Sequence, residues 1–203
     1  MRMTEVGRAA LLIECADGEH VEAWRAELWR RRERGELSAI EIVPGARTVL
    51  LDGVTDPAET ARRIAQWPPP AATASAGGPQ VTIPVVYDGS DLPWVAEQWG
   101  LSAEDAVDRI ASTELRVAFC GFSPGFAYLA GLPADWAVPR LSDPRPKVPA
   151  GSVGLAGEYA GIYPTSSPGG WRLIGRTEQV LFDVDRDPPA LLVPGTRVRL
   201  VPA

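Results

Sequence analysis

Glycine and proline are unusually dense between residues 119 and 177, and this density constrains the fold more than any other feature. The 203-residue chain contains 20 glycines and 20 prolines, and the stretch begins FCGFSPGFAYLAGLP. Glycine permits positive φ and proline fixes φ at about −65°, so their alternation specifies a long ordered path without a repeating conformation. Because ordered irregular loops on a rigid scaffold commonly carry binding sites, we expect the functional site here.

The first 70 residues predict a small α+β sandwich domain. Three strand-like runs lie in it: residues 8–15, 39–43 and 47–52. A helix is predicted at 19–34, where four apolar residues share one face: Val21, Trp24, Leu28 and Trp29. A second helix is predicted from an N-cap at Asp56, with Pro57 at the first position, to about Trp67.

A linker and a second, mostly β domain are predicted for the rest of the chain. The sequence PPPAATASAGGPQ continues neither a helix nor a strand, and it places the linker at residues 71–79 and the second domain at 80–203. This domain opens with a strand and two short helices, the first ending at Gly100 and the second capped by Ser102. Five short strand candidates follow: 115–120, 152–156, 171–175, 179–184 and 197–201. Many short strands between Gly/Pro turns favour a closed or nearly closed β barrel.

Composition excludes several function classes. A net charge of −6 and a pI near 4.9 argue against nucleic-acid and anionic-membrane partners, which require basic patches. Cys15 and Cys120 make no disulfide framework, so we expect reduced thiols in a cytoplasmic protein. The sequence has no apolar run of ~20 residues and no secretion signal.

Missing residue types exclude further chemistry. The chain has one histidine, His20, which is too few for a metal site built from histidine and cysteine. A Ser-His-Asp triad would have to use His20, but this residue lies in the first predicted domain and the serines of the Gly/Pro-rich region lie in the second. Ser123 lies in GFSPG, which matches a nucleophile-elbow pattern, but no helix-forming run follows it and no histidine is available as base. No phosphate-binding loop motif is present, so we expect the chain to bind no cofactor and any ATP to be used by a partner.

Binding and electrostatic chemistry remain for the Gly/Pro-rich region. The run SSPGG at 166–170 offers hydroxyls and successive backbone N–H groups, and consecutive glycines suit an anion-binding nest. Tyr163 and Trp171 are candidates for an apolar wall with polar tips, and Arg145 for a carboxylate clamp. The alternative is that the glycines make turns, the aromatic residues form core and Arg145 is an interface contact. We predict eight substrate-binding residues and assign no catalytic residue: Arg145, Tyr163, Pro164, Ser166, Ser167, Gly169, Gly170 and Trp171.

Three long motifs carry a family resemblance that covers essentially the whole chain. They are GFSPGFAYLAGLP, then PR followed by VPAGSVGLAG, then GIYP followed by PGGWRLIGRT. They resemble the B subunits of 5-oxoprolinase, a family also called KipI or allophanate hydrolase subunit 1. The same block is similar to half of the carboxyltransferase region of urea carboxylase.

The resemblance implies a fold, a reaction and partners. It implies that the barrel is cyclophilin-like. It implies a protein that helps to open 5-oxo-L-proline to glutamate at the expense of ATP, together with an ATP-dependent A subunit. A homologous C subunit is the further implied partner, in a B–C heterodimer or heterotetramer. The resemblance also places Ile110 where many relatives carry a histidine, so proton transfer at that position is not expected of this chain.

Two alternative functions stay open at this point. Through the same family, the chain also resembles a carboxyltransferase or allophanate hydrolase subunit 1-type component of urea or amide metabolism. It also resembles KipI, which is named for inhibiting a sporulation histidine kinase and would be a regulatory binding protein.

Overall fold

Four antiparallel strands and two helices fold together in the first part of the computed structural model, which describes residues 1–70 and 78–203. The elements in chain order are β1 (Arg2–Val6), β2 (Ala10–Glu14), α1 (Gly18–Glu33), β3 (Glu41–Pro44), β4 (Thr48–Asp52) and α2 (Pro57–Ala65). The strand order is β1-β2-β4-β3. These elements belong to one of two units into which the chain divides, Met1–Gly77, called here the N-terminal unit.

Side-chain caps start both helices of this unit. The Asp17 carboxylate accepts a hydrogen bond from the His20 backbone N–H at 2.9 Å, and the Asp56 carboxylate accepts one from Glu59 at 2.8 Å. Trp24 and Leu28 are buried as predicted, but Trp29 is 41% exposed, so its predicted place on the buried face is wrong. Its ring instead lies beside the Arg32 guanidinium, 4.0 Å from the ring centroid.

The second unit, Gly78–Ala203, is called here the barrel unit. Its elements are β5 (Gln80–Val85), α3 (Leu92–Gln98), α4 (Ala103–Ser112), β6 (Leu115–Cys120), β7 (Ala127–Ala130), a 3-10 turn (Ala134–Trp136), β8 (Arg145–Val148), β9 (Ser152–Ala156), β10 (Tyr159–Ile162), β11 (Ser167–Gly169), β12 (Arg172–Arg176) and β13 (Arg197–Pro202). Seven strands form one sheet in the order β12-β9-β10-β7-β6-β13-β5, and β11 pairs with β8. Only the β13–β5 pair is parallel among the described strand pairs of that sheet.

The seven-stranded sheet is a nearly closed barrel. Val86, directly after β5, bridges Arg176 at the end of β12 through two backbone hydrogen bonds of 2.8 and 2.9 Å. The two edge strands are thus tied to each other, which protects edges that would otherwise be open to pairing. Fully buried aliphatic residues fill the interior, among them Ile83, Leu115, Leu129, Leu155 and Leu200.

The structure corrects several strand predictions. Residues 179–184 form no strand and keep only one bridge, between Phe182 and Ala190. The strands β1, β7, β8, β10 and β11 were not predicted; each has five or fewer residues. Most of the predicted linker, residues 71–77, lies outside the described residues. In the described parts of the chain, no helix is both long and apolar enough to cross a bilayer.

Candidate functional site

A cleft of about 360 Å³ opens in the barrel unit, and its wall is mainly aromatic. This volume is within the range of roughly 300–1,000 Å³ that is typical of small-molecule sites. The lining residues are Phe122, Phe126, Tyr128, Arg140, Ala156, Gly157, Tyr159, Tyr163, Pro168, Gly169 and Trp171. The site therefore combines several ring surfaces with a single charged side chain.

Phe126 is the centre of the aromatic wall. Its ring makes edge-to-face contacts with Tyr163 and Trp171, both at 5.4 Å between centroids. Gly161 on β10 makes room for this packing, because a Cβ there would lie 2.9 Å from the Trp171 ring and 3.0 Å from the Phe126 ring. The three rings are buried, and they pack in a cluster of their own beside the barrel interior.

The turn between β6 and β7 brings Phe122 to the cleft in a strained conformation. Among the described non-glycine residues, only Phe122 has a positive φ, at 69°. The turn is held by a hydrogen bond of 3.0 Å from the Phe126 N–H to the Ser123 carbonyl. Phe122 as a whole remains 62% exposed, although its ring contacts Phe126 edge-on at 5.3 Å. A strained backbone that presents an exposed ring to a cleft is typical of a ligand contact.

The Tyr163 hydroxyl is a hydrogen-bond donor at neutral pH. Burial raises the pKa of Tyr163, and a hydrogen bond from the Trp171 backbone N–H to its oxygen partly offsets that rise. Tyr159, also in the cleft wall, has a pKa raised to about 12 by burial and by neighbouring Glu158. Both phenols therefore keep their protons, but the Tyr159 hydroxyl donates to the Glu158 side chain, which leaves Tyr163 as the donor for negative charge on a bound ligand.

Arg140 supplies the positive charge of the cleft. Its side chain is exposed, and within the described residues it has no hydrogen bond or ion pair. No aspartate or glutamate is among the lining residues. Arg140 is therefore the one charged residue among those that line the cleft, although the whole chain carries a net charge of −6.

The structure brings three of the eight predicted site residues into the cleft wall. They are Tyr163, Gly169 and Trp171. The other five are not part of the wall: Arg145, Pro164, Ser166, Ser167 and Gly170. The prediction missed the charged residue Arg140 and four aromatic residues of the wall: Phe122, Phe126, Tyr128 and Tyr159. The first three of these aromatic residues lie in one motif that carries the family resemblance, so their recurrence there was a usable signal.

Arg145 is engaged by partners within the barrel unit and is not among the residues that line the cleft. Its Nη2 donates to both carboxylate oxygens of Asp91, at 3.0 and 2.8 Å, and its Nη1 donates to the Trp171 carbonyl at 3.1 Å. Asp91 also accepts a hydrogen bond of 2.6 Å from the Leu173 N–H. The guanidinium therefore fixes the start of β12 and the backbone of Trp171.

The predicted glycine nest is wrong in its geometry. A nest needs a residue with positive φ, and neither Gly169 nor Gly170 has one. Gly169 is required for another reason: a Cβ there would lie 2.3 Å from the Tyr163 hydroxyl oxygen. A Cβ on Gly170 would meet nothing closer than 3.5 Å. Glycine at position 169 thus leaves the space that the Tyr163 hydroxyl occupies, whereas position 170 has room for a Cβ.

The serines of the region differ in environment. Ser166 is exposed, whereas the Ser167 and Ser123 hydroxyl oxygens are buried and have no hydrogen-bond partner in the described parts of the chain. Ser123 is followed by strand β7 and not by a helix, so the structure lacks the strand-turn-helix arrangement of a nucleophile elbow.

His20 lies in the N-terminal unit, paired with Asp17 at 2.7 Å. The described residues contain no cluster of potential metal ligands.

Comparison with known proteins defines the class. Residues 1–192 match the family described as carboxyltransferase domain, subdomain C and D. The 5-oxoprolinase B subunit of Escherichia coli O157:H7 is 39% identical over 205 residues, which covers 97% of this chain and 94% of that protein. The chain therefore belongs to the carboxyltransferase subdomain C and D family, and within it to the group of 5-oxoprolinase B subunits.

Solved structures agree with this assignment at the level of the fold. The crystal structure of TTHA0988 has a TM-score of 0.79 and 34% identity, covering 96% of this chain and 40% of that one. The crystal structure of the K. lactis urea amidolyase has a TM-score of 0.70, covering 99% of this chain and 15% of that one. Because the latter is only 20% identical, it shows a shared fold alone.

Proposed function

We propose that this chain is the B subunit of a heteromeric, ATP-dependent 5-oxoprolinase, which opens 5-oxo-L-proline to L-glutamate. The observation that carries the proposal is the 39% identity to a 5-oxoprolinase B subunit over almost the full length of both proteins. The nearly closed sheet fits the cyclophilin-like barrel that the resemblance implies. The urea amidolyase likeness supports the fold and not a urea substrate.

The cleft suits a small lactam. A five-membered ring with one carboxylate fits a volume of about 360 Å³, and its faces can pack against the rings of Phe122 and Tyr128. Opening an activated lactam develops negative charge on oxygen, and the protonated Tyr163 hydroxyl is a fixed donor for that charge. Loss of such a donor typically lowers kcat by about 10²–10³-fold. The cleft in this unit is thus the proposed place of ring binding.

ATP use and assembly are assigned to partners. The chain has no phosphate-binding loop motif, so we propose that it binds no cofactor and that the A subunit uses the ATP. The C subunit is the proposed companion, in a B–C heterodimer or heterotetramer within the cytoplasm. In this scheme the B–C pair holds the activated ring while ring opening is completed.

Reconstitution tests the proposal. The chain is co-expressed with candidate A and C subunits from the same source, purified, and assayed for ATP-dependent release of glutamate from 5-oxo-L-proline. We expect release only when all three proteins are present. Full activity from the A and C subunits without this chain would contradict the proposal. Inhibition of a histidine kinase by this chain, without lactam turnover by the complex, would favour the regulatory alternative instead.

A further inference from the structure

Arg140 is the charged residue of the cleft and has no partner for its charge within the described chain. We propose that Arg140 binds the carboxylate of the substrate and thereby selects an anionic cyclic amide over a neutral one. This inference rests on the proposed function, because it assigns a role within the same cleft. It concerns recognition of the ligand and not the bond-breaking step.

The backbone on both sides of Arg140 is anchored. The Pro139 carbonyl accepts a hydrogen bond of 3.2 Å from the Arg172 side chain, and the Leu141 N–H donates one of 2.7 Å to the Gly170 carbonyl. One residue further back, Val138 exchanges two backbone hydrogen bonds with Gly157, a residue of the cleft wall, at 3.2 and 2.8 Å. The segment is therefore fixed against the cleft, while the guanidinium that it presents is unpaired.

The neighbouring arginines are already occupied. Arg145 is paired with Asp91, and Arg172 lies 3.8 Å from the ring centroid of Trp94. Arg140 is near enough to Tyr163 for its positive charge to counter the rise that burial causes in the Tyr163 pKa. The cleft thus holds one unpaired guanidinium, that of Arg140, near the Tyr163 hydroxyl that is proposed to donate to the lactam oxygen.

This arrangement matches the chemistry of 5-oxo-L-proline, whose carboxylate lies on the ring carbon next to the lactam nitrogen. A guanidinium binds a carboxylate through two parallel hydrogen bonds, which lysine cannot reproduce. The flat ring is left to contact the aromatic wall. A neutral amide such as urea or 2-pyrrolidinone would leave Arg140 without an anionic partner, so selectivity against neutral amides follows.

The test compares Arg140→Gln and Arg140→Lys with the control Arg199→Gln in the reconstituted complex. Arg199 lies on β13, half exposed, and its nearest acidic partner is 4.0 Å away. We expect Arg140→Gln to raise KM for 5-oxo-L-proline by about 10- to 100-fold with kcat nearly unchanged, because a charge-assisted contact present in both ground and transition states is lost. Arg140→Lys should be intermediate, and Arg199→Gln should behave as wild type. An Arg140→Gln complex with an unchanged KM would overturn the inference while leaving the proposed function intact.

A second measurement keeps the two claims separate. If the wild-type complex does not turn over 5-oxo-L-proline, the proposed function fails, and binding to the full-length chain is then measured by calorimetry. Binding of 5-oxo-L-proline that is lost in Arg140→Gln, with no binding of 2-pyrrolidinone or 5-oxo-L-prolinamide, would still support carboxylate recognition. Absence of binding to the wild-type chain, or equal binding of the three compounds, would overturn it.

Discussion

Phe122 shows a conflict between backbone preference and side-chain role. Its positive φ is unfavourable for a residue with a Cβ, by roughly 1–2 kcal/mol, and most of its ring is exposed to solvent. Glycine would fit the backbone better, yet it would remove a ring from the cleft wall. We interpret the strain as the cost of placing that ring.

Two substitutions of Phe122 separate these effects. We expect Phe122→Gly to be more stable than Phe122→Ala by about 1 kcal/mol, because glycine adopts positive φ without a clash. Both variants should raise KM for the substrate, since both lack the ring. Urea unfolding gives the stability difference and steady-state kinetics of the complex give KM. Two outcomes would contradict this interpretation: equal stability of the two variants, or a KM that rises only in the less stable variant although both lack the ring.

Gly169 and Gly170 provide a matched pair at adjacent positions. Gly169→Ala would force the new Cβ against the Tyr163 hydroxyl, so we expect a loss of about 1–3 kcal/mol in unfolding free energy and reduced activity. Gly170→Ala meets only ordinary contacts and should change stability by less than about 0.5 kcal/mol. Thermal unfolding checks both. A larger loss of stability in Gly170→Ala than in Gly169→Ala would contradict this assignment.

The sequence predicted some site residues and missed others for one physical reason. Composition shows that a region is an ordered loop, but not which loops face each other. Tyr163 and Trp171 were predicted because aromatic residues in such loops can form an apolar wall and orient a ligand with their polar tips. Arg145 appeared free between two prolines, because its partner Asp91 lies 54 positions earlier. Arg140 could not be ranked above it without knowing that pair.

At the scale of elements, Asp91 connects the start of α3 with the start of β12. It occupies the N-cap position of α3, but its side chain makes no capping hydrogen bond and turns instead to Arg145 and the Leu173 N–H. Two elements are thus joined through one buried carboxylate, and one of them, β12, directly follows Trp171 of the cleft wall. Removing it would leave a partly buried guanidinium without its ion-pair partner and the Leu173 N–H without an acceptor.

We expect Asp91→Ala to lower the free energy of unfolding by about 2–3 kcal/mol, because both remaining partners stay poorly solvated. The matched control is Asp88→Ala, which removes the exposed ion pair with Arg176 and should cost less than about 1 kcal/mol. Chemical denaturation of the two variants gives the comparison. Similar losses in both would mean that the Asp91 contacts contribute no more than a surface pair.

Short elements limit what sequence patterns can predict. The helices α2 and α4 were predicted well because side-chain caps at Asp56 and Ser102 start them, and α3 because its apolar residues share one face and a glycine follows its end. Strands such as β8 and β11 have three or four residues and contain proline, so no alternation is visible. The segment 179–184 has the residue types of a strand, but the Arg186 guanidinium binds carbonyl oxygens of Val180 and Leu181 and holds it as a loop.

At the scale of the whole molecule, stability should be lost in alkali. Burial raises the pKa of Cys120 from 9.0 to about 11, and that of Tyr159 from 10.0 to about 12. The folded state holds these protons more tightly, so the contribution is fully present below about pH 9 and is lost as pH rises towards 12. We expect the free energy of unfolding to fall across that window.

Single substitutions of Tyr159 and Cys120 test whether these two groups cause the fall in unfolding free energy at high pH. Tyr159→Phe should flatten the fall between about pH 10 and 12, and Cys120→Ala should flatten it between about pH 9 and 11, because each removes a group that ionises only in the unfolded state there. Denaturant unfolding across the pH series measures the slopes. Slopes that match wild type in both variants would show that other groups cause the loss.

The order of strands in the barrel determines when it can be completed. Strand β13 lies between β5 and β6, although both of these precede it by more than 75 residues along the chain. During synthesis, β5 and β6 therefore have an unfilled gap between them until residues 197–202 leave the ribosome. Such pairings of distant segments slow folding and prolong exposure of unpaired edges. A nascent chain arrested before residue 197 should consequently depend more on chaperones than one in which residues 197–202 are free to pair with β5 and β6.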